Sequence, residues 1–278
     1  VFMITLGQIN TLTVQGEFPF GYQLSHPDDD RVVVLPGPVE HALEEGSEVS
    51  VLVYTDENGQ LTASQQTPKA LAGEVKVLKA VGVTGFGAFF DWGIEKDLLV
   101  PRHNQAGPIS EGMVYPVYVY EDTATERLVG ATKLHPFLSE NGSYFKPGQE
   151  VELIVYAKTE LGVKVVINES HLGLIFASDA FKPLRIGEET TGFIKQIRED
   201  GKIDVTLQQV NATGRDKLQQ EILDDLEAHG GMSTLTDKSP PDEIYARFNV
   251  SKAAYKRALG ALYKQQKIRL DKQKITLL

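Results

Sequence analysis

Aromatic and cationic side chains, rather than nucleophiles or metal ligands, are the groups this sequence sets out in a pattern. Phe86 and Phe89 lie three residues apart in one β-like run, with Trp92, Arg102 and His103 a short way downstream. Every nucleobase has a π-face and every linker a charge, so aromatic platforms flanked by cations suit single-stranded nucleic acid. On the two-residue period of a strand, Ala88 and Phe90 point away from Phe89, toward a core. Plain core packing is the competing use for Phe86 and Phe89. A second group is cationic: Lys256, Arg257 and Lys264 in a helical stretch, then Lys267, Arg269 and Lys272 in a hairpin-like one.

Other chemistry finds little support. With no cysteine, disulfide frameworks, thiolate metal sites and cysteine nucleophiles are excluded. The six histidines (26, 41, 103, 135, 171, 229) show no metal-ligand spacing, so no metal is expected. Asp28-Asp29-Asp30 reads as a solvated loop before it reads as a cation site. Gly82-Val83-Thr84-Gly85-Phe86-Gly87 has its glycines in the wrong order for a dinucleotide fingerprint, and no P-loop occurs, so no cofactor is expected. No nucleophile–base signature appears either, so the expectation is a non-enzyme without catalytic residues.

The elements that carry these residues repeat. Around Gly73 the chain runs Gly73-Glu74-Val75-Lys76-Val77, Phe86-Gly87-Ala88-Phe89-Phe90, Leu98-Leu99-Val100-Pro101, Gly112 through Tyr120, and Arg127 through Thr132. Residues 7–64 pass through the same events, and so do residues 148–207. Five short runs rich in β-branched and aromatic residues, joined by Gly or Asp-Gly turns, describe a small barrel of the OB type. Phe20 and Gln23 in the first unit, and Leu161 and Lys164 in the third, then stand where the second has Phe86 and Phe89. Phe176 is the third unit's one matching aromatic.

After Gln209 the period changes. Leu218, Ile222, Leu223 and Leu226 share one helical face that Gly230-Gly231 ends. Ser239-Pro240-Pro241-Asp242 starts a short helix with Ile244, Tyr245 and Phe248 on its apolar side. Asn249-Val250-Ser251 is a tight turn, with Ser251 capping a longer helix to about Gln265. There Tyr255, Leu259 and Leu262 face inward; Ala253, Arg257, Gly260 and Lys264 face outward, with Lys256 on the flank. Residues 267–277 form a basic hairpin, the wing. The expected organisation is mainly β with a C-terminal α+β unit: barrels at 1–66, 67–134 and 135–211 (the last with its linker), then a winged helix-turn-helix at 212–278.

Gly73-Glu74-Val75 followed by Phe86-Gly87-Ala88-Phe89-Phe90 resembles the opening of an S1 domain, an RNA-binding OB-fold. Gly173-Leu174-Ile175-Phe176-Ala177-Ser178 resembles that domain's third-strand motif, with Phe176 where the motif usually has His. Three such units followed by Ser-Pro-Pro-Asp-Glu-Ile-Tyr-Ala-Arg-Phe at 239–248 resemble the conserved virulence factor B family of Gram-positive bacteria. The resemblance implies an RNA-binding regulator of gene expression, virulence genes among its targets, with no known enzymatic step.

Charge sharpens the choice of surface. Nine of the 28 basic residues and three of the 38 acidic ones fall between 239 and 278, a balance of +6, which leaves 19 and 35 elsewhere, or −16. Binding must therefore use local patches and stacking, with the second barrel the first choice and the third next. The expected partner is single-stranded RNA, with duplex DNA or structured RNA for the winged helix, and no membrane. No apolar run approaches a membrane span, and Gln8, Asn10, Thr11, Thr13 and Gln15 break any signal-peptide core, so the location expected is cytoplasmic. Opening on Val1, the chain is expected to lack a few N-terminal residues. The rival functions are a DNA-binding transcription regulator acting through the winged helix, and a protein-interaction scaffold.

Overall fold

The computed structural model describes residues 4–180, 182–208 and 212–278. It divides into two compact units, residues 1–138 and 139–278.

The first unit holds two five-stranded units. In barrel 1, β1 (Ile9–Phe18), β2 (Gly21–His26), β3 (Asp29–Pro36), β4 (Glu48–Thr55) and β5 (Leu61–Ser64) close in the order β1-β2-β3-β5-β4. Barrel 2 comprises β6 (Val75–Val83), β7 (Gly87–Phe90), β8 (Leu98–Pro101), β9 (Val114–Asp122) and β10 (Arg127–Ala131), in the order β10-β9-β6-β7-β8. This second sheet departs from the expected closed barrel: no ladder joins β8 to β10, although the Asn104 side-chain amide donates to Gly130 O at 3.3 Å across that gap. Alternation decides which side chains fill each interior. Leu12, Val14, Leu24, Val33 and Val53 fill the first; Leu78, Ala88, Phe90, Leu98, Val117 and Val119 fill the second.

The second unit repeats the plan and adds helices. Barrel 3 closes as β11 (Glu150–Lys158), β12 (Gly162–Ile167), β13 (His171–Phe176), β15 (Ile203–Thr206) and β14 (Glu189–Ile197), around Leu153, Val155, Val165, Ile175 and Val205. The boundary expected after residue 211 adjoins residues 209–211, which lie outside the described residues. Next come α1 (Ala212–Ala228), β16 (Met232–Ser233), α2 (Pro241–Phe248), α3 (Lys252–Lys264), β17 (Ile268–Leu270) and β18 (Ile275–Leu277). Leu218, Ile222, Leu223 and Leu226 of α1 pack with Ile244, Tyr255, Leu259 and Leu262 in one core. The Ser251 side chain accepts from Ala254 N–H, capping α3, and β17 and β18 pair antiparallel as the wing.

Two backbone devices recur in all three barrels. The first strand carries a register shift at Val14/Gly16, Ala80/Gly82 and Val155/Ala157, a bulge that bends it between its two neighbours. The second strand opens on a glycine, Gly21, Gly87 or Gly162, paired with Pro36, Pro101 or Phe176 of the third. A Cβ at Gly21 or Gly162 would overlap the carbonyl oxygen of Leu35 or Ile175, and one at Gly87 would lie 2.7 Å from Val100 O. Gly21 and Gly162 also hold positive φ, at 132° and 151°. This crossing therefore admits no side chain.

Candidate nucleic-acid interface

That glycine fixes the residue before it. Phe86 precedes Gly87 at the end of a turn in which Thr84 N–H donates to Gly87 O at 2.8 Å. Its ring is 62% exposed and meets Phe89 of β7 edge-to-face at 5.9 Å, while Ala88 and Phe90 are buried as their alternation predicts. Arg102 N–H donates to Phe86 O at 2.9 Å, and the exposed Arg102 guanidinium reaches Gly85 O at 3.5 Å, on the turn that carries Phe86. His103 follows it at the surface, and its carbonyl accepts from Lys133 Nζ at 2.8 Å. Phe86, Phe89 and Arg102 thus form a half-exposed aromatic corner with a cation at its edge.

Trp92 does not join them. It is 1% exposed, donates from Nε1 to Ala70 O at 2.7 Å, and packs edge-on to Tyr54 of barrel 1. Expecting it on the platform ignored the turn after β7, which sends the chain back under the barrel. A large indole is there a filler, held by its one polar atom.

In barrel 3 the matching positions are Leu161, 66% exposed, Lys164, exposed, and Phe176, half-buried. Arg198 lies over the Phe176 ring at 5.2 Å. The side chain of Asp204, 1% exposed, accepts from Arg198 Nε and Gln196 Nε2, both at 2.7 Å, and so aims the guanidinium. Tyr156, Leu161, Lys164, Leu174, Arg198 and Lys202 line a groove of about 340 Å³ on this face. Burial, with Glu140 nearby, raises the Tyr156 phenol to about 12, so it stays neutral. Sequence reasoning found Lys164 and Phe176 but missed Tyr156, Arg198 and Lys202. The signal for two of these was present: Arg198 and Lys202 flank the Asp200-Gly201 turn, noticed only as a hairpin.

Barrel 1 keeps the scaffold and changes the chemistry. Phe20 is 49% exposed and stacks on Phe18 at 5.4 Å, with Gln23 at the place of Phe89. Residues 1–66 hold ten acidic residues and one basic, Arg31. Asp29 is no solvated loop residue: its carboxylate pairs with Arg31 at 2.7 Å and accepts Ile4 N–H at 3.1 Å. Arg31 holds the Asp29 carboxyl well below the usual range.

In the winged helix Lys256, Arg257, Lys264, Lys267, Arg269 and Lys272 are all exposed. A Cβ on Gly260 of α3 would meet nothing within 4 Å, so packing does not require this glycine. The α2–α3 turn packs on barrel 3, where Ser251 Oγ donates to Gln208 Oε1 at 3.0 Å and Lys182 sits over the Tyr245 ring at 5.8 Å. Arg257 borders a cavity of about 450 Å³ beside that contact, which Phe193, Gln208 and Phe248 also line. Among the described residues, no cluster of three or more His, Cys, Asp or Glu could hold a metal ion, and no helix is long and apolar enough to cross a membrane.

Comparison with known proteins gives the same two kinds of domain, although the S1 match falls on barrel 1 whereas the S1 motifs read from the sequence lie at 73–90 and 173–178. The S1 domain matches residues 6–66, and the CvfB-like winged helix domain matches residues 220–277. Protein YitL of Bacillus subtilis is 29% identical, over 94% of this chain and 90% of its own. Conserved virulence factor B of Staphylococcus epidermidis is 28% identical, over 98% of this chain and 94% of its own. A solved multidomain protein with nucleic acid binding domains from Streptococcus pneumoniae aligns over 98% of both chains at 24% identity, with a TM-score of 0.45. The resemblance to conserved virulence factor B read from residues 73–90, 173–178 and 239–248 thus extends along nearly the whole chain. S1 and winged-helix domains are nucleic-acid-binding kinds of domain, and their presence supports nucleic-acid binding by this chain.

Proposed function

We propose that this chain holds single-stranded RNA on the aromatic and basic faces of barrels 2 and 3, the winged helix adding cationic contacts, and that it regulates gene expression without catalysing a reaction. The observation that carries this reading is the shared register of the two faces. Phe86 and Phe89 of barrel 2 occupy the places of Leu161 and Lys164 of barrel 3; Arg102 follows β8 in the one, and Arg198, from the turn after β14, lines the groove with Leu161 and Lys164 in the other. Stacking on a ring and pairing with phosphate are independent of base identity, so such faces suit an unpaired strand. RNA rather than DNA follows from the S1 resemblance. A cytoplasmic site of action and, from the family resemblance, an influence on virulence-type genes are part of the same proposal.

The test is fluorescence anisotropy with labelled single-stranded RNA, single-stranded DNA and duplex DNA at low and physiological salt. RNA binding that falls in Phe86→Ala/Phe89→Ala and in Arg198→Ala/Lys202→Ala supports the proposal. Duplex DNA binding that survives both variants but is lost in Lys256→Ala/Arg257→Ala/Lys264→Ala would replace it with a DNA-binding regulator, for which the open, basic outer face of α3 is the specific observation. Failure to bind any of the three would leave a protein-interaction scaffold.

A further inference from the structure

Barrel 1 is built like its neighbours and charged unlike them. Its balance over residues 1–66 is −9, against −1 for residues 67–134 and −3 for residues 135–211. Its single basic residue, Arg31, is engaged by Asp29. On this acidic body, at the β1–β2 tip, Phe18 and Phe20 stand 41% and 49% exposed, stacked with their planes 4° apart, and Glu17 beside them is exposed. A polyanion would be repelled from such a tip, whereas a cationic surface with apolar side chains of its own would be attracted and then held. Residues 239–278 of this same chain have that character: a balance of +6, with Lys264, Lys267 and Arg269 exposed among Tyr263 at 57% and Leu270 at 37% exposure.

From this complementarity we infer that the Phe18–Phe20 tip of barrel 1 docks on the basic α3–wing surface of a second copy of the chain. Reciprocal pairing then makes two equal contacts in a two-fold dimer. Opposite charge steers the encounter and makes it sensitive to salt, and the Phe pair supplies the apolar anchor.

Sedimentation velocity of the full chain over a hundredfold concentration range tests the inference. At low salt the chain should pass from monomer to dimer, and raising the ionic strength to about 0.5 M, where the Debye length falls below about 5 Å, should return it to monomer. Phe18→Ser/Phe20→Ser should weaken association at least tenfold with its melting transition retained, since both rings are half outside the fold. Lys264→Glu/Arg269→Glu should weaken it equally. Mixing these two variants should give a 1:1 pair held by one intact contact, tighter than either variant with itself and weaker than the unaltered chain, because the tip of one meets the intact basic surface of the other while the reciprocal contact is lost. A chain that stays monomeric at low salt, a dimer indifferent to the Phe substitutions, or a mixture that does not re-associate would each overturn the inference. RNA binding by a strictly monomeric chain would overturn it too, while leaving the proposed function standing.

Discussion

Phe86→Ala separates binding from folding more cleanly than any other single change on the proposed RNA face. A phenylalanine carries roughly 200 Å² of accessible surface, and with 62% of Phe86 exposed only about 75 Å² is buried by the fold. At about 25 cal/mol per Å² that burial contributes at most about 2 kcal/mol, and nearer 1 kcal/mol once the compactness of the unfolded chain is allowed for. A base stacked on the ring is worth about 1–3 kcal/mol, or roughly a 5- to 150-fold change in Kd. The variant should therefore keep its melting temperature within a few degrees while its Kd for single-stranded RNA rises at least fivefold. Phe89 touches Phe86, so adding Phe89→Ala should cost less than the sum of the two single changes. Phe90→Ala is the control: that ring is fully buried, and its loss should cost the barrel about 3–5 kcal/mol. The readouts are anisotropy for Kd and calorimetry for melting. An unchanged Kd in Phe86→Ala, at the low salt where stacking and charge both act, would refute the assignment of barrel 2 as a stacking face.

Arg198→Gln/Lys202→Gln removes two cations from the groove of barrel 3, so the slope of log K against log salt for single-stranded RNA should flatten by about 1.4; an unchanged slope would remove both from the interface. Trp92 is the chain's one tryptophan and is buried, so its emission should be blue-shifted and unaffected by saturating RNA, and quenching on titration would contradict its burial. Burial raises the Tyr255 phenol above its ordinary value near 10, and its hydroxyl donates to Leu235 O at 2.9 Å. A group whose folded pKa is raised contributes stability below its unfolded pKa and loses it as pH climbs. The winged helix should thus loosen above about pH 10, followed by phenolate absorbance together with helical circular dichroism, and Tyr255→Phe should lose that sensitivity at a cost of about 1 kcal/mol near neutral pH.

Those predictions rest on positions the sequence showed unevenly. The barrel repeat was legible because its constraints are local: β-branched and aromatic runs, the glycines between them, and alternation that buries Ala88 and Phe90. The winged helix was legible for a similar reason, since a serine cap and a 3.6-residue apolar period leave little choice. Trp92 was misread because its fate depends on how barrel 1 presents Leu52 and Tyr54 to it, a contact some 40 residues distant in sequence. Arg198 was missed because its orientation is set by Asp204, whose burial follows only once β13 and β15 pair. The closed order of barrels 1 and 3 was expected; the missing β8–β10 ladder of barrel 2 was not, since nothing short-range encodes an absent long-range pairing.

The three barrels also separate what the fold demands from what a surface is for. At the crossing glycine all three agree, because any Cβ would strike a carbonyl or backbone there. One residue earlier the side chain leaves the fold, and barrels 1 and 2 both place a phenylalanine there (Phe20, Phe86) where barrel 3 has Leu161; two residues after the glycine all three diverge, to Gln23, Phe89 and Lys164. A requirement of packing would have limited those choices to apolar side chains, as it does for Leu24, Phe90 and Val165 in the interiors. The second outer position instead changes from an amide to an aromatic ring to a cation, on barrels whose net charges are −9, −1 and −3. Divergent outward chemistry at that position, on an unchanged scaffold, is what different binding duties would produce. Together with the −9 balance of barrel 1, it argues that barrel 1 meets a different partner from the one proposed for barrels 2 and 3.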